Sequence, residues 1–205
     1  NDISGNGNVV NATGVDSNAN LNAIVGTGNN LLASAGASVN SNTVMGLTNG
    51  VSANGAAASA SNNAINGTDN SISAAAGFAA DNNDVTGNGN TLMAVGGDAA
   101  ENSVNGNGNS ITATAADASN NTVMGNGNTI DAAASATTGN TIDGVGNSIT
   151  DSMDNYVAGV SNAVSGQSDE NGIIGGGNTV SGNADGNAVM GANNVLDGSG
   201  DAGDA

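Results

Sequence analysis

Acids, hydroxyls and carboxamides are the only side chains in this 205-residue chain that could carry out chemistry. The sequence has no Lys, Arg, His or Cys, against 18 Asp and Glu, which gives a formal net charge of −18. Paired carboxylates occur at Asp151 with Asp154 and at Asp169 with Glu170, and such pairs can hydrolyse glycosidic bonds. A sugar-binding cleft is normally rich in aromatic residues, but this chain has only one Phe and one Tyr. Because the usual bases and nucleophiles are also missing, we predict that the chain is not an enzyme.

The same composition limits the partners and cofactors. Nucleic-acid binding requires basic residues that neutralise phosphates, so we expect no nucleic-acid partner. No apolar run is long enough to cross a bilayer, and we expect no membrane insertion. Gly-rich repeats that bind Ca²⁺ carry Asp in the glycine-rich turn of each repeat. The equivalent turn in this sequence carries Asn, as in Gly87-Asn-Gly-Asn90. We therefore predict no cofactor, although divalent cations should screen the acids without a specific site. The acids at Asp81, Asp98, Glu101 and Asp117 are expected to form a solvated edge.

A ten-residue phrase, Asn-x-[Val/Ile]-x-Gly-x-x-Asn-x-[Val/Ile/Leu], recurs along almost the whole sequence. The first Asn falls at Asn1, Asn22, Asn42, Asn63, Asn83, Asn102, Asn121 and Asn140, with later copies interpreted at Asn162, Asn171 and Asn187. The second falls at Asn8, Asn29, Asn49, Asn70, Asn90, Asn109, Asn128, Asn147, Asn178 and Asn194. Fixed-period self-similarity of this kind is typical of repeat architectures, in which each unit buries its apolar side against its neighbours.

The spacing within the phrase predicts the fold. Constant residues two apart share one face of a strand, and the Gly-x-Gly corner provides residues with positive φ. We predict an all-β protein, a parallel β-solenoid of about ten coils with 19–21 residues per coil. One domain should cover residues 1–196, with an irregular coil near 151–170, where the register should break between Tyr156 and Glu170. An acidic tail should follow at 197–205. The Ala-rich remainder of each unit could be a third side or a return loop.

Stacking would turn the constant residues into columns. The Asn columns are predicted to be structural amide ladders, formed by Asn22, Asn42, Asn63, Asn83, Asn102, Asn121, Asn140, Asn29, Asn70, Asn90, Asn109, Asn128 and Asn147. The predicted core columns contain Ile24, Val44, Ile65, Val85, Val104, Val123, Ile142, Ile72, Leu92, Ile111, Ile130 and Ile149.

The corner phrase Gly-x-Gly-Asn resembles the repeat of the curlins, the subunits of secreted bacterial functional amyloid fibres called curli. It occurs here as Gly5-Asn-Gly-Asn8, Gly26-Thr-Gly-Asn29, Gly144-Val-Gly-Asn147 and Gly175-Gly-Gly-Asn178. Curlin repeats are of similar length and are interpreted as strand-turn-strand units. The resemblance implies a secreted, self-assembling β-solenoid.

These patterns predict a structural subunit of an extracellular filament, as in a biofilm or cell-surface fibre. The partner would be a second copy of the chain, stacked head to tail through open β edges in the end coils, marked by Ile3, Val10, Val189 and Leu196. A chain starting at Asn1 would fit a secreted protein whose signal peptide has been removed. Two alternatives remain open. Outward hydroxyl pairs such as Ser110 with Thr112 suggest an ice-binding face of the antifreeze type. The second alternative is the stalk of a surface adhesin, which would have the same rod shape.

Overall fold

The computed structural model describes residues 1–199, and every regular element in that range is a β-strand. The strands alternate between two faces along the chain. Sheet 1 contains the odd-numbered strands: β1 (Asp2–Asn6), β3 (Ala23–Thr27), β5 (Thr43–Leu47), β7 (Ala64–Thr68), β9 (Asp84–Asn88), β11 (Ser103–Asn107), β13 (Thr122–Asn126), β15 (Thr141–Val145), β17 (Tyr156–Val160), β19 (Gly172–Gly176) and β21 (Ala188–Ala192). Sheet 2 contains the even-numbered strands: β2 (Val9–Thr13), β4 (Asn30–Ser34), β6 (Gly50–Asn54), β8 (Ser71–Ala75), β10 (Thr91–Ala94), β12 (Ser110–Ala113), β14 (Thr129–Ala132), β16 (Ser148–Thr150), β18 (Ala163–Val164), β20 (Thr179–Ser181) and β22 (Val195–Asp197).

Each sheet is an 11-stranded parallel sheet in which every strand pairs with the strand one coil away. One odd and one even strand therefore make one coil, and the predicted parallel β-solenoid is confirmed. We number the coils 1 to 11 from their opening residues, which are Asn1, Asn22, Asn42, Asn63, Asn83, Asn102, Asn121, Asn140, Asn155, Asn171 and Asn187. At about 4.8 Å per coil the rod is roughly 50 Å long.

Aliphatic side chains point inward at the middle of both sheets and form the core. Val104 pairs with Val123 in sheet 1, and Ile111 pairs with Ile130 in sheet 2. The twelve aliphatic residues that define the predicted core columns are all at most 1% exposed. Since strand side chains alternate between faces, the residues between them point outward. The core is thus a set of columns one side chain wide.

The Ala-rich remainder of each coil forms a narrow third side. In the early coils it pairs through single parallel bridges, Asn18 with Ser38, Ser38 with Ser59, and Ser59 with Ala79. Its inward column consists mostly of small, fully buried residues: Val39, Ala60, Ala80, Ala99, Ala118, Thr137, Ser152 and Ser168. Alanine is a poor strand former, which fits pairing by isolated bridges in place of extended strands. The alternative that the sequence left open is thereby decided in favour of a third side.

The first glycine of the corner is required by its neighbour in the next coil. Gly106 has φ of +138°, and a Cβ atom placed on it would lie 1.7 Å from the carbonyl oxygen of Gly125. The second glycine is less constrained, because a Cβ atom on Gly108 would meet nothing within 4 Å. Thr48 and Asp69 occupy that second position in other coils, with φ of 54° and 57°. Close approach of the coils therefore depends on the first glycine.

The coils shorten towards the C-terminal end without losing register. Successive opening Asn residues are 21, 20, 21, 20, 19, 19, 19, 15, 16 and 16 residues apart. The predicted break between Tyr156 and Glu170 is wrong, because β17 and β18 pair in register with both neighbours. The chain loses residues from the third side and from the strands of sheet 2, which shorten from five residues in β2 to two in β18, whereas the strands of sheet 1 keep five residues. The predicted tail at 197–205 lies mostly outside the described residues.

We predict that Gly106→Ala destabilises the rod far more than Gly108→Ala. The new methyl group at residue 106 must separate two coils, which we expect to cost about 3 kcal/mol or more. At residue 108 the cost is that of a left-handed alanine, about 1 kcal/mol. Urea unfolding followed by circular dichroism measures both midpoints. Equal shifts in the two variants would contradict the close-approach argument.

Candidate functional site

Two ladders of buried Asn residues run along the rod, one at each side of the Gly-x-Gly corner in every coil. Ladder A consists of the opening residues of the eleven coils. Ladder B consists of Asn8, Asn29, Asn49, Asn70, Asn90, Asn109, Asn128, Asn147, Asn162, Asn178 and Asn194. The sequence-predicted Asn residues all lie in these two ladders, and each of them is at most 1% exposed. The extended strand backbone places them because each lies two residues before an inward aliphatic side chain.

Each Asn side chain in the interior of a ladder bridges neighbouring coils. In ladder A the Oδ1 atom of Asn102 accepts hydrogen bonds from the backbone N–H of Asn121 at 3.0 Å and from its Nδ2 at 3.1 Å. The Nδ2 atom of Asn102 donates to the carbonyl of Ala118 on the third side at 2.9 Å. Ladder A therefore ties sheet 1 to the third side as well as tying coil to coil.

Ladder B uses the same bonding pattern with a different carbonyl. The Oδ1 atom of Asn109 accepts from the backbone N–H of Asn128 at 3.0 Å and from its Nδ2 at 3.1 Å. The Nδ2 atom of Asn109 donates to the carbonyl of Gly125 at 2.8 Å. This carbonyl belongs to the first corner glycine of the next coil. The required glycine and the ladder Asn thus form one unit, because the close approach of the coils brings the carbonyl within reach.

The buried carboxamide groups of the ladders all have hydrogen-bond partners. Within residues 1–199, no buried side-chain nitrogen or oxygen lacks a hydrogen-bond partner. An unsatisfied buried polar group costs about 1–3 kcal/mol, so a column of carboxamides is stable only when every member is bonded. A carboxamide combines two donors with an acceptor, whereas a carboxylate has no donor and a hydroxyl has one. This requirement explains why Asn recurs at these positions.

Both ladders have a direction. The Oδ1 atom always accepts from the coil nearer the C-terminal end, as Asn178 accepts from the backbone N–H of Asn194 at 3.0 Å. In coil 11, nothing among the described residues donates to the Oδ1 atoms of Asn187 and Asn194. In coil 1, by contrast, the backbone N–H of Asn8 has no acceptor within residues 1–199. The two ends of the rod therefore present opposite halves of the same bonding pattern.

The outer edges of coil 1 and coil 11 also expose the core columns. We call them the N-face (β1 and β2) and the C-face (β21 and β22). On the N-face, Ile3 is 45% exposed, and Val10 is half-buried. On the C-face, a groove of about 340 Å³ is lined by Val189 and Leu196 together with the last two ladder residues. Interior members of these columns are almost fully buried, whereas among residues 1–199 no further coil lies on the N-face or on the C-face.

The acids of the third side are more than a solvated edge, and the sequence did not predict their role. Asp98 Oδ1 accepts from the backbone N–H of Ala79 at 2.8 Å, and Asp117 Oδ1 accepts from that of Asp98 at 2.9 Å. Asp169 accepts in the same way from Met153. These carboxylates replace strand carbonyls as acceptors for the third-side backbone. Their recurrence one coil apart was the signal that could have identified them.

One member of each acid pair, Asp151 and Asp169, also accepts hydrogen bonds from the backbone. Asp151 Oδ1 accepts from the backbone N–H groups of Ala134 and Ser135 at 2.7 and 2.8 Å. Asp154 and Glu170 directly precede the opening Asn residues of coils 9 and 10, where the third side turns into sheet 1, and have φ of 56° and 58°. Within residues 1–199, no three His, Cys, Asp or Glu side chains come together in a way that could hold a metal ion. Nor does that range contain a helix of the length and apolarity needed to cross a bilayer.

One carboxylate near the C-face has a shifted pKa. The backbone N–H of Ser199 donates to Asp197 Oδ1 at 3.0 Å, and this hydrogen bond lowers the pKa of Asp197. The side-chain hydroxyl of Ser199 acts in the same direction. Asp197, the last residue of β22, therefore stays ionised at lower pH than an ordinary aspartate.

The hydroxyl pairs lie on the outer face of sheet 2. Ser110 and Thr112 pair in register with Thr91 and Met93 on one side and with Thr129 and Asp131 on the other. The hydroxyl columns are thus broken by a thioether in one neighbouring coil and by a carboxylate in the other. An interrupted array offers less support for ice binding than a continuous one, and that alternative stays a prediction.

We predict that Asn109→Ala destabilises the protein by about 3 kcal/mol or more, since it leaves two donors of Asn128 and the carbonyl of Gly125 unpaired. Asn105→Ala is the matched control, because Asn105 lies in the same coil but points outward and is exposed. It should change the free energy of unfolding by less than about 0.5 kcal/mol. Urea titration of both variants gives the comparison. A similar small loss in both would show that the ladder contributes little.

Comparison with models of known protein families yields no match. Comparison with curated proteins likewise yields no relative.

Proposed function

We propose that this protein is the structural subunit of an extracellular filament and that its copies stack head to tail. The observation that carries the proposal is the direction of the two Asn ladders. Among residues 1–199, the side-chain acceptors of Asn187 and Asn194 on the C-face have no donor, and the backbone donor of Asn8 on the N-face has no acceptor. A second copy would complete both ladders by placing its N-face on the C-face of the first.

The direction of the ladders also favours head-to-tail contact between two copies over contact between two identical faces. Two N-faces in contact would place donor against donor in ladder B, and two C-faces would place acceptor against acceptor. Buried groups left unpaired in this way are costly. The head-to-tail junction instead repeats the arrangement found between all interior coils. Such a contact is heterologous and does not close, so it propagates as a fibre.

The junction would also continue the core columns. Ile3 would lie on Val189, and Val10 would lie on Leu196, with Gly5 against Gly191 at the corner. Exposed strand edges of this kind are templates for pairing with another chain. The order and register of the interior coils supply the geometry, since every interior strand already pairs in this way.

The taper of the rod weakens the proposed junction in one place. Coil 1 spans 21 residues, whereas coil 10 spans 16. The wide third side of coil 1, around Asn18 and Ala19, would extend beyond the narrower coil that it meets. Both sheets and both ladders can continue across the junction, so they would provide its stability. The junction is therefore expected to be weaker than a boundary between two interior coils.

Charge sets the conditions for assembly. With a formal net charge of −18 and no Lys or Arg, two copies repel each other at long range. Salt screens this repulsion over about 8 Å at physiological ionic strength. Divalent cations would act in the same non-specific way. We expect assembly at moderate salt and dispersed subunits at low salt.

The extracellular setting is part of the proposal and is supported by composition. A chain without Lys or Arg offers no cleavage site to trypsin-like proteases, which suits a surface fibre. The finer assignment, a curlin-like functional amyloid of a biofilm or cell surface, is supported by the shared Gly-x-Gly-Asn corner. Among macromolecules, the partner that this account requires is a second copy of the chain itself.

The proposal predicts that Ile3→Asp shortens or abolishes filaments, because it places a charge in the core column at the junction. Val25→Asp is the matched control, since it adds the same charge on the outer face of coil 2, where Val25 is 54% exposed. Sedimentation velocity and negative-stain microscopy across a range of salt and protein concentrations provide the measurement. Circular dichroism verifies that both variants keep the fold.

Two results would overturn the filament proposal. The first is an unaltered protein that stays monomeric at high concentration and moderate salt. The second is Ile3→Asp filaments as long as those of Val25→Asp. Ice-growth inhibition by the monomeric protein would favour the ice-binding alternative instead.

A further inference from the structure

The outer face of sheet 1 carries three columns of side chains, which come from the first, third and fifth residues of its five-residue strands. Each column continues from coil to coil because the strands pair in register. The middle column consists of Ser4, Val25, Met45, Asn66, Thr86, Asn105, Met124, Asp143, Ala158, Ile174 and Met190.

This face carries little of the charge of the chain. Among residues 1–199, its acids are Asp2, Asp84 and Asp143, three of the 18 in the sequence. The chain has no Lys or Arg, so carboxylates on two approaching copies repel each other wherever they meet. The outer face of sheet 1 is therefore a surface on which two copies can come together with little repulsion.

Two clusters of exposed apolar side chains lie on the same face. In coils 2 and 3, Val25, Met45 and Leu47 are 54%, 43% and 50% exposed. In coils 9 and 10, Val160 and Ile174 are 53% and 49% exposed. The coils between the clusters present mostly amides and hydroxyls. Contiguous exposed apolar side chains of this kind mark interaction surfaces.

The size of the face fits a second copy of the chain. It extends roughly 50 Å along the rod and about 17 Å along the strands, so it offers on the order of 850 Å² per copy. A stable protein–protein interface buries about 800 Å² per partner. Two sheets that pack face to face lie about 10 Å apart, with the side chains of both filling the space between them.

We propose that two copies pair laterally through the outer faces of sheet 1, with antiparallel rods and with coil 6 on the two-fold axis. An axis that runs along the strand direction reverses the rod and places each column on the same column of the second copy. Each apolar cluster then packs on the other one. Val25 faces Ile174 of the second copy, and Leu47 faces Val160. The contact is isologous, so it closes at two copies.

The charges favour this arrangement over parallel rods. With antiparallel rods, Asp143 faces Asn66 of the second copy, and Asp84 faces Thr122. The amide and the hydroxyl can each donate a hydrogen bond to the carboxylate. The acid in coil 1 meets an alanine of coil 11. An axis along the rod would instead place the Asp143 carboxylates of the two copies against each other, and like charges in an interface are unfavourable.

Lateral pairing uses neither end face, so it is independent of head-to-tail stacking and sets the width of a filament, not its length. Val25→Asp should therefore give filaments that are narrower but no shorter. At low salt, repulsion between two copies with a charge of −18 each keeps the pair apart. Asn66 and Asn105 then stay exposed to solvent in the dispersed protein.

Cross-linking in the Ile3→Asp background tests the pair without filaments. The chain has no Cys, so each substitution introduces a single thiol. Asn105 lies on the proposed axis, and Asn105→Cys should form a disulfide between two copies at moderate salt under air. Asn66→Cys is the matched control, because Asn66 is exposed in the same column but lies about 19 Å along the rod from its own equivalent. It should cross-link at least about tenfold more slowly, since a disulfide requires the two Cα atoms within about 7 Å.

An exchange of charge tests the contact between Asp143 and Asn66 in the same background. Asn66→Asp places two carboxylates opposite each other and should raise the dissociation constant of the pair at least about tenfold. Adding Asp143→Asn restores one acid opposite one amide and the original net charge, so the double variant should pair as Ile3→Asp alone does. Sedimentation equilibrium at moderate salt gives the dissociation constants, and circular dichroism verifies the fold of each variant.

Three results would overturn the proposal. The first is an Ile3→Asp protein that stays monomeric at high concentration and moderate salt. The second is equal cross-linking of Asn105→Cys and Asn66→Cys, which would indicate parallel rods. The third is a double variant that pairs no better than Asn66→Asp. Filaments one rod wide would contradict lateral pairing and leave head-to-tail stacking in place, whereas pairs of the unaltered protein without filaments would do the reverse.

Discussion

The hydrogen bonds between successive Asn side chains are the interaction on which the rest of this structure depends. Each buried carboxamide accepts two bonds from the next coil, and most also donate to a backbone carbonyl, as Asn102 does. This bonding requires coils so close that the first corner residue can only be glycine, as at Gly106. It also requires the same residue in every coil. The repeat is thus the consequence of one bonding pattern carried along the stack.

The thin core follows from the same constraint. One aliphatic side chain from each sheet and one small residue from the third side fill each coil, as Val104, Ile111 and Ala118 do in coil 6. Since ladder A links sheet 1 to the third side, the third side can shorten while the sheets stay in register. The taper after Thr137 is an example. Because both ladders have a direction, the ends of the rod differ, and this difference underlies the proposed assembly.

The phrase spacing was enough to predict the parallel solenoid, because strand periodicity and the glycine corner are local properties. The sequence pattern did not predict coil 9, because the coil before it is only 15 residues long and the preceding coils are longer. Asn162 was therefore interpreted as an opening residue, whereas the structure places Asn155 in ladder A and Asn162 in ladder B. The phrase itself is complete there. The recurrence of Asp98 and Asp117 one coil apart indicates a column of acids, but their bonds to the backbone depend on which third-side N–H groups the strands leave unpaired, which only the structure shows.

Hydrogen exchange of the Asn side-chain amides, measured by NMR, tests the central claim most directly. Nδ2 protons of interior ladder residues such as Asn109 and Asn121 should exchange as slowly as the strand backbone around them, because exchange requires coils to separate. Nδ2 protons of the outward, exposed Asn66 and Asn105 should exchange rapidly. Ladder amides that exchange as fast as those of Asn66 and Asn105 would contradict the claim that the ladders hold the coils together.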